Sequence, residues 1–148
     1  AFNLVPMLTA LENTTLPMDL AGRKPDQAWL DRVVATVGLK DRLRHRPAEL
    51  SGGQQQRVAV ARALAGRPEI VFADEPTGNL DSRSGAEILD FLRWAVRETG
   101  QTVVMVTLDP VAASYIDRIV FLADGQIAKV IGPSSHEQVL EALQEVTR

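Results

Sequence analysis

Two short stretches hold residues whose types and spacing could do chemistry. In "IVFADEP" an apolar run delivers Asp74 and Glu75 side by side at its exit. Ligands of open α/β sheets bind at the carboxyl ends of strands, and adjacent carboxylates there suit a division of labour. One helps hold Mg²⁺, and the other positions or deprotonates a water that attacks a phosphate. In "ELSGGQQQRVAVARAL" a helical pattern opens on Gly52 and Gly53, although each glycine costs about 1 kcal/mol against alanine in a helix interior. Ser51 and Gln54 have capping-box spacing, which fixes the helix start at Ser51 and puts both glycines on the first turn. Backbone N–H groups there lack intrahelical partners, and the helix dipole supplies roughly half a positive charge. Without the two Cβ atoms a phosphate-sized anion can come close. Each feature has an ordinary reading as well: S-x-x-Q is a common cap, paired glycines end loops, and D-E-P can be a polar strand exit. Their joint occurrence favours a phosphate site.

The surrounding elements must position these residues. Over residues 25–37 Leu30, Val33, Val34 and Val37 recur at helical spacing, with Pro25 suited to a first turn and Gly38 to a stop. A polar stretch ending in Pro47 leads to Ser51, and the helix beyond it runs to about Ala65, closed by Gly66 and Pro68. "EIVFADEP" and "QTVVMVTLDP" read as strands covered on both faces of a parallel sheet. Between them Ile88, Leu89, Leu92, Ala95 and Val96 share a helical face ended by Gly100. Asp124-Gly125 between two apolar runs signals a hairpin, and Ser135 with Gln138 begins a last helix. The expected division is a helical part over residues 1–67 and an α/β part over residues 68–148.

Composition narrows the function classes. A 148-residue chain that is 45% hydrophobic has the size and apolar share of one soluble domain with a real core. A net charge of −3 gives no support for a nucleic-acid or anionic-membrane surface. The chain has no cysteine, which excludes disulfides and thiolate metal sites and fits a cytosolic protein. No apolar stretch reaches the roughly 18–20 residues of a membrane span, so any membrane role goes through a partner. The sequence opens at Ala1 with no initiator Met, straight into "AFNLVPML", a pattern expected of a fragment cut inside a domain.

"LSGGQQQRVAVARAL" followed closely by "IVFADEPTGNLD" resembles the signature motif, Walker B motif and D-loop of an ATP-binding-cassette (ABC) ATPase. "TVVMVTLDP" and "DRIVFLADGQIA" continue the resemblance, and "AFNLVPMLTALENTTLP" is similar to the stretch after the family's Q-loop. That stretch is most like the subgroup serving lipoprotein export, macrolide efflux and cell division. The resemblance implies an α/β fold: part of a three-layer P-loop NTPase core with a helical subdomain. It implies ATP and Mg²⁺ as cofactors, Glu75 as catalytic base and Asp74 as the Mg²⁺ residue. Ser51, Gly52 and Gly53 would face the γ-phosphate of ATP held by the opposite subunit. Gln54 would support that turn, and Asp81 would cross the dimer interface while also capping a helix near Ser82. The implied partners are a second ABC ATPase subunit, identical or not, and a transmembrane permease met by the surface from Phe2 to Leu16. That places the protein at the cytoplasmic face of the membrane, attached through the permease and not through nucleic acid.

The sequence departs from the family in two places. No G-x-x-x-x-G-K-[ST] occurs, and Lys24, Lys40 and Lys129 do not follow a glycine, so the phosphate-cradling loop is missing along with the Q-loop glutamine. Unpaired strand edges, uncovered apolar surface and poor ATP binding by this chain are the expected results. Leu108 stands where the family's T-H-D pattern has a histidine that helps position the attacking water, a role leucine cannot fill. The reading is an ATPase subunit coupling ATP binding and hydrolysis to a permease. Leu108 and the absent loop keep open a non-hydrolysing regulatory or scaffold domain in a heterodimer. A DNA-repair or chromosome ATPase would carry long heptad segments, and none is present.

Overall fold

In the computed structural model, which describes residues 2–147, the paired glycines do begin a helix. Ser51 is its N-cap: the hydroxyl accepts from the Gln54 N–H at 3.2 Å, and the Gln54 side chain accepts from the Ser51 N–H at 2.9 Å. This helix, α3 (Gly52–Ala65), is the centre of the first of two compact units, which ends at Val104. Val58, Ala61 and Leu64 give it a fully buried stripe against which α1 (Ala10–Leu20) and α2 (Gln27–Thr36) pack. Beyond Gly66 the chain turns out of the helix at Arg67, which takes a left-handed φ of 48°.

The segment from Phe2 to Leu16 is helical only from Ala10. Thr9 and Glu12 form a capping box there, and residues 2–8 precede it without helix. Those residues are held by Asn13, wholly buried, whose side-chain amide donates to the carbonyls of Val5, Leu8 and Thr9 and accepts from the Val5 N–H. Four satisfied bonds offset the cost of burying that amide. Helix α2 starts two residues later than its proline suggests. Asp26 is the N-cap, accepting from the Trp29 N–H at 3.1 Å, and Pro25 lies outside the helix. Gly38, with φ 69°, is the stop.

Strand β1 (Ile70–Asp74) follows α3, and helix α4 (Ser82–Thr99) leads from it to β2 (Thr102–Val106), which pairs with β1 in a two-stranded sheet. The α4 stripe of Ile88, Leu89, Leu92 and Ala95 is buried, and Gly100 ends the helix with φ 69°. The expectation that both strands are covered on both faces does not hold. Val71 is buried, while Phe72 is 77% and Val106 61% exposed. In the two-stranded sheet Ile70, Phe72, Val104 and Val106 are exposed, so uncovered apolar surface is present as expected.

The second unit begins at Met105 and contains α5 (Pro110–Ala113), β3 (Ile119–Ala123), β4 (Gln126–Ile131) and α6 (His136–Val146). Strands β3 and β4 are antiparallel, with Ala123 opposite Gln126. Asp124 and Gly125 both take positive φ, 51° and 75°, as a tight two-residue turn demands. The register shifts between Phe121 and Leu122, leaving Ala128 as the extra residue. Val139 and Ala142 of α6 pack with Ile119 and Phe121, and Ser135 caps α6 through the expected box with Gln138.

Candidate functional site

The two glycines turn out to have different reasons. A Cβ on Gly53 would stand 3.0 Å from Ser84 Oγ and 3.2 Å from Ser84 Cβ, a tight contact that would press on α4. A Cβ on Gly52 would meet nothing within 4 Å. Packing within the chain therefore accounts for Gly53 and leaves Gly52 as an open position on the N-terminal turn. That is the geometry in which first-turn N–H groups remain reachable by an anion.

Ser84 belongs to the cap of α4. Asp81 is the N-cap of that helix, as expected. Its carboxylate accepts from the N–H groups of Arg83 (3.1 Å) and Ser84 (3.0 Å) and from Ser84 Oγ (2.7 Å). These bonds, the Ser84 backbone bond first, hold the Asp81 carboxyl below the usual aspartate range. The signature-like turn thus rests through Gly53 on Ser84, and Ser84 rests on Asp81. Ser84 gives no signal in the sequence, because its role depends on where α4 crosses α3. Arg57 adds a second tie: its guanidinium pairs with Glu87 of α4, donates to the Val37 carbonyl at 3.4 Å and lies 5.7 Å from the Phe91 ring centroid.

Asp74 is the last residue of β1 and is exposed, and Glu75 follows it half-buried. The Glu75 backbone has φ 42°, which is uncommon for a residue with a Cβ and runs against the extended preference imposed by the following proline. The Gly78 N–H closes the turn on the Glu75 carbonyl at 3.1 Å. From α3 the Gln56 side chain donates to the Pro76 carbonyl at 2.8 Å. Asp74, Glu75, Gln56 and Phe72 border an open groove of about 950 Å³ in this unit. Glu75 shares this groove with Phe2, Asn3 and Arg67, which also take left-handed φ, and of these Arg67, like Glu75, precedes a proline.

In the second unit Leu108 is 89% exposed. It sits between Thr107, whose hydroxyl accepts from the Asp109 N–H at 3.0 Å, and Asp109, which caps α5 by accepting from the Val111 N–H at 2.9 Å. An exposed leucine between two polar turn residues marks a position where packing does not call for an apolar side chain.

The residues fit a nucleotide and its metal in part. The open Gly52 turn can take phosphate. Mg²⁺ needs only one or two carboxylates when phosphate oxygens and waters complete its shell, a part Asp74 can play.

Comparison with known proteins gives the family and the fold. Residues 1–78 match the ABC transporter family, and the chain belongs to it. It is 49% identical over 134 residues to the uncharacterised ABC transporter ATP-binding protein MJ1508 of Methanocaldococcus jannaschii, a match spanning 88% of this chain and 58% of that one. It is 44% identical to the macrolide export ATP-binding/permease protein MacB of Marinobacter nauticus, over 89% of this chain and 21% of that one. Among solved structures, the ATP-binding cassette MJ0796, dimeric and bound to ADP and Pi, superposes with a TM-score of 0.75 at 41% identity, covering 90% of this chain and 60% of that one. The fold is therefore the α/β fold of ABC ATPase cassettes, and the chain spans little more than half the length of the ATP-binding proteins it matches.

Proposed function

We propose that this chain is part of the nucleotide-binding subunit of an ABC transporter, a subunit that dimerises around ATP and hydrolyses it to drive a membrane permease. The observation that carries the reading is the pairing of an open Gly52 turn on α3 with Asp74 and Glu75 at the exit of β1. Residues 1–67 would act as the helical subdomain presenting the signature turn, and residues 68–148 as the C-terminal part of the ATPase core.

Gly52 and Gly53 would offer their N–H groups, and Ser51 its hydroxyl, to the γ-phosphate of a nucleotide held by the opposing subunit, with Gln54 holding the turn through the Ser51 N–H. Glu75 would take a proton from the attacking water or orient it, and Asp74 would hold Mg²⁺. The ion, when bound, neutralises charge developing on the phosphate. Asp81 would reach the opposing subunit from the base of α4. The exposed apolar side chains of Met7 and Leu11 lie in the segment proposed to meet the permease at the cytoplasmic face of the membrane. Among the described residues no helix is long and apolar enough to cross a membrane.

The matches to ATP-binding relatives support the hydrolytic reading over a scaffold domain, as does the retention of Glu75. For the 148 residues alone, without a phosphate-cradling loop, micromolar Mg-ATP binding is not expected. The test uses the complete protein carrying Glu75→Gln. Sedimentation should show a dimer with Mg-ATP and a monomer with Mg-ADP, with hydrolysis reduced about 10²- to 10⁴-fold. A monomer under both conditions, with hydrolysis at the parent rate, would overturn the proposal.

A further inference from the structure

We infer that Gln56 is a positioning residue for Glu75, tying the strained turn that carries the proposed base to the helix that carries the signature turn. The inference rests on the nucleotide-binding reading above. Three observations converge on it. The Gln56 side-chain amide donates to the Pro76 carbonyl at 2.8 Å, so one hydrogen bond spans from α3 to the turn immediately after β1. Glu75, directly before Pro76, holds a left-handed φ of 42°, a backbone state that persists only where its surroundings impose it. Pro76 is buried, so its carbonyl has little access to water as a substitute partner, and an unmade bond there is costly.

Gln56 lies one helical turn beyond Gly52 and Gly53, on the same rigid element. A shift of the signature turn on engaging a nucleotide in the opposing subunit would therefore move the donor that holds Pro76. Hydrolysis at the chain's own site would then depend on how its signature turn is seated at the other. Neighbouring glutamines have different tasks: Gln54 completes the cap of α3, and Gln55 donates to the carbonyls of Pro47 and Leu50. Gln56 alone of the three reaches the turn after Glu75.

The test compares parent, Glu75→Gln, Gln56→Met and Gln56→Lys in the complete protein, each measured for kcat, KM for ATP and Mg-ATP-dependent dimerisation. Methionine keeps the length of glutamine and cannot donate; lysine keeps a donor. Gln56→Met should lower kcat ten- to hundredfold with KM and dimerisation within about twofold of the parent, because a displaced base slows chemistry without weakening binding. Gln56→Lys should recover most of that loss. Retained dimerisation shows that each variant is folded. A parent-like kcat for Gln56→Met, equal losses in kcat and dimerisation, or no recovery with lysine would overturn the inference. If Glu75→Gln hydrolyses like the parent, the base assignment itself falls and this inference with it. If Glu75→Gln is inactive while Gln56→Met is not, only the positioning role falls.

Discussion

Gly53 faces Ser84 where α3 meets α4: a Cβ on Gly53 would stand 3.0 Å from the Ser84 hydroxyl, which is itself bonded to Asp81 at 2.7 Å. That contact splits a glycine pair that looks uniform in sequence into one position set by packing and one left open.

The split makes opposite demands on two otherwise similar substitutions. Gly53→Ala should lower the unfolding free energy by about 1 kcal/mol, since overpacking costs about 1–3 kcal/mol and the better helix former returns up to about 1 kcal/mol. Ser84→Gly in that background should recover part of the loss. Gly52→Ala should be neutral or stabilising by a few tenths of a kcal/mol, yet weaken ATP-dependent dimerisation of the complete protein. Urea unfolding and sedimentation of the same variants check both halves.

The cap of α4 should carry a pH signature. Because hydrogen bonds depress the Asp81 pKa in the folded state, its contribution is present above the unfolded aspartate value and is lost as pH falls through the folded one. Below about pH 3.9 the parent should therefore lose stability relative to Asp81→Asn, which still caps but does not titrate. Glu12 and Glu137 are depressed by similar cap bonds, so the quantity to follow is the difference in Tm between parent and variant from pH 6 to pH 2. A constant difference would rule out this role for Asp81.

Leu108→His in the complete protein should raise ATP turnover by about 10²- to 10⁴-fold, the range expected when a positioned polar group is returned to a hydrolytic site. Leu108 is exposed in its turn, so the imidazole should fold in without a packing cost. Single-turnover hydrolysis measures the gain. An unchanged rate would show that another residue already carries the histidine's role.

Local chemistry was legible in the sequence because short-range rules decide it. Ser51 with Gln54, Ser135 with Gln138 and Asp124-Gly125 each specify a cap or turn within four residues, and each forms as read. The apolar runs around Phe72 and Val106 misled because a run reads the same whether or not a second layer covers it. The left-handed backbone of Glu75, the Gln56–Pro76 bond and the Gly53–Ser84 contact were not legible. The last two join segments far apart in sequence, an approach no local pattern encodes, and the first runs against the local preference set by Pro76.

In the proposed dimer the signature turn and the base of one chain serve different nucleotides. Mixing two inactive forms of the complete protein tests this arrangement most directly. Gly52→Asp places a negative charge on the first turn, which the helix dipole accepts and a phosphate does not; Glu75→Gln removes the base. In a mixed two-fold dimer one site receives the intact base of the first chain and the intact turn of the second. Mixing should restore hydrolysis to at most about a quarter of the parental rate, half of the dimers being mixed and each holding one intact site of two. A mixture as inactive as its components would contradict the arrangement.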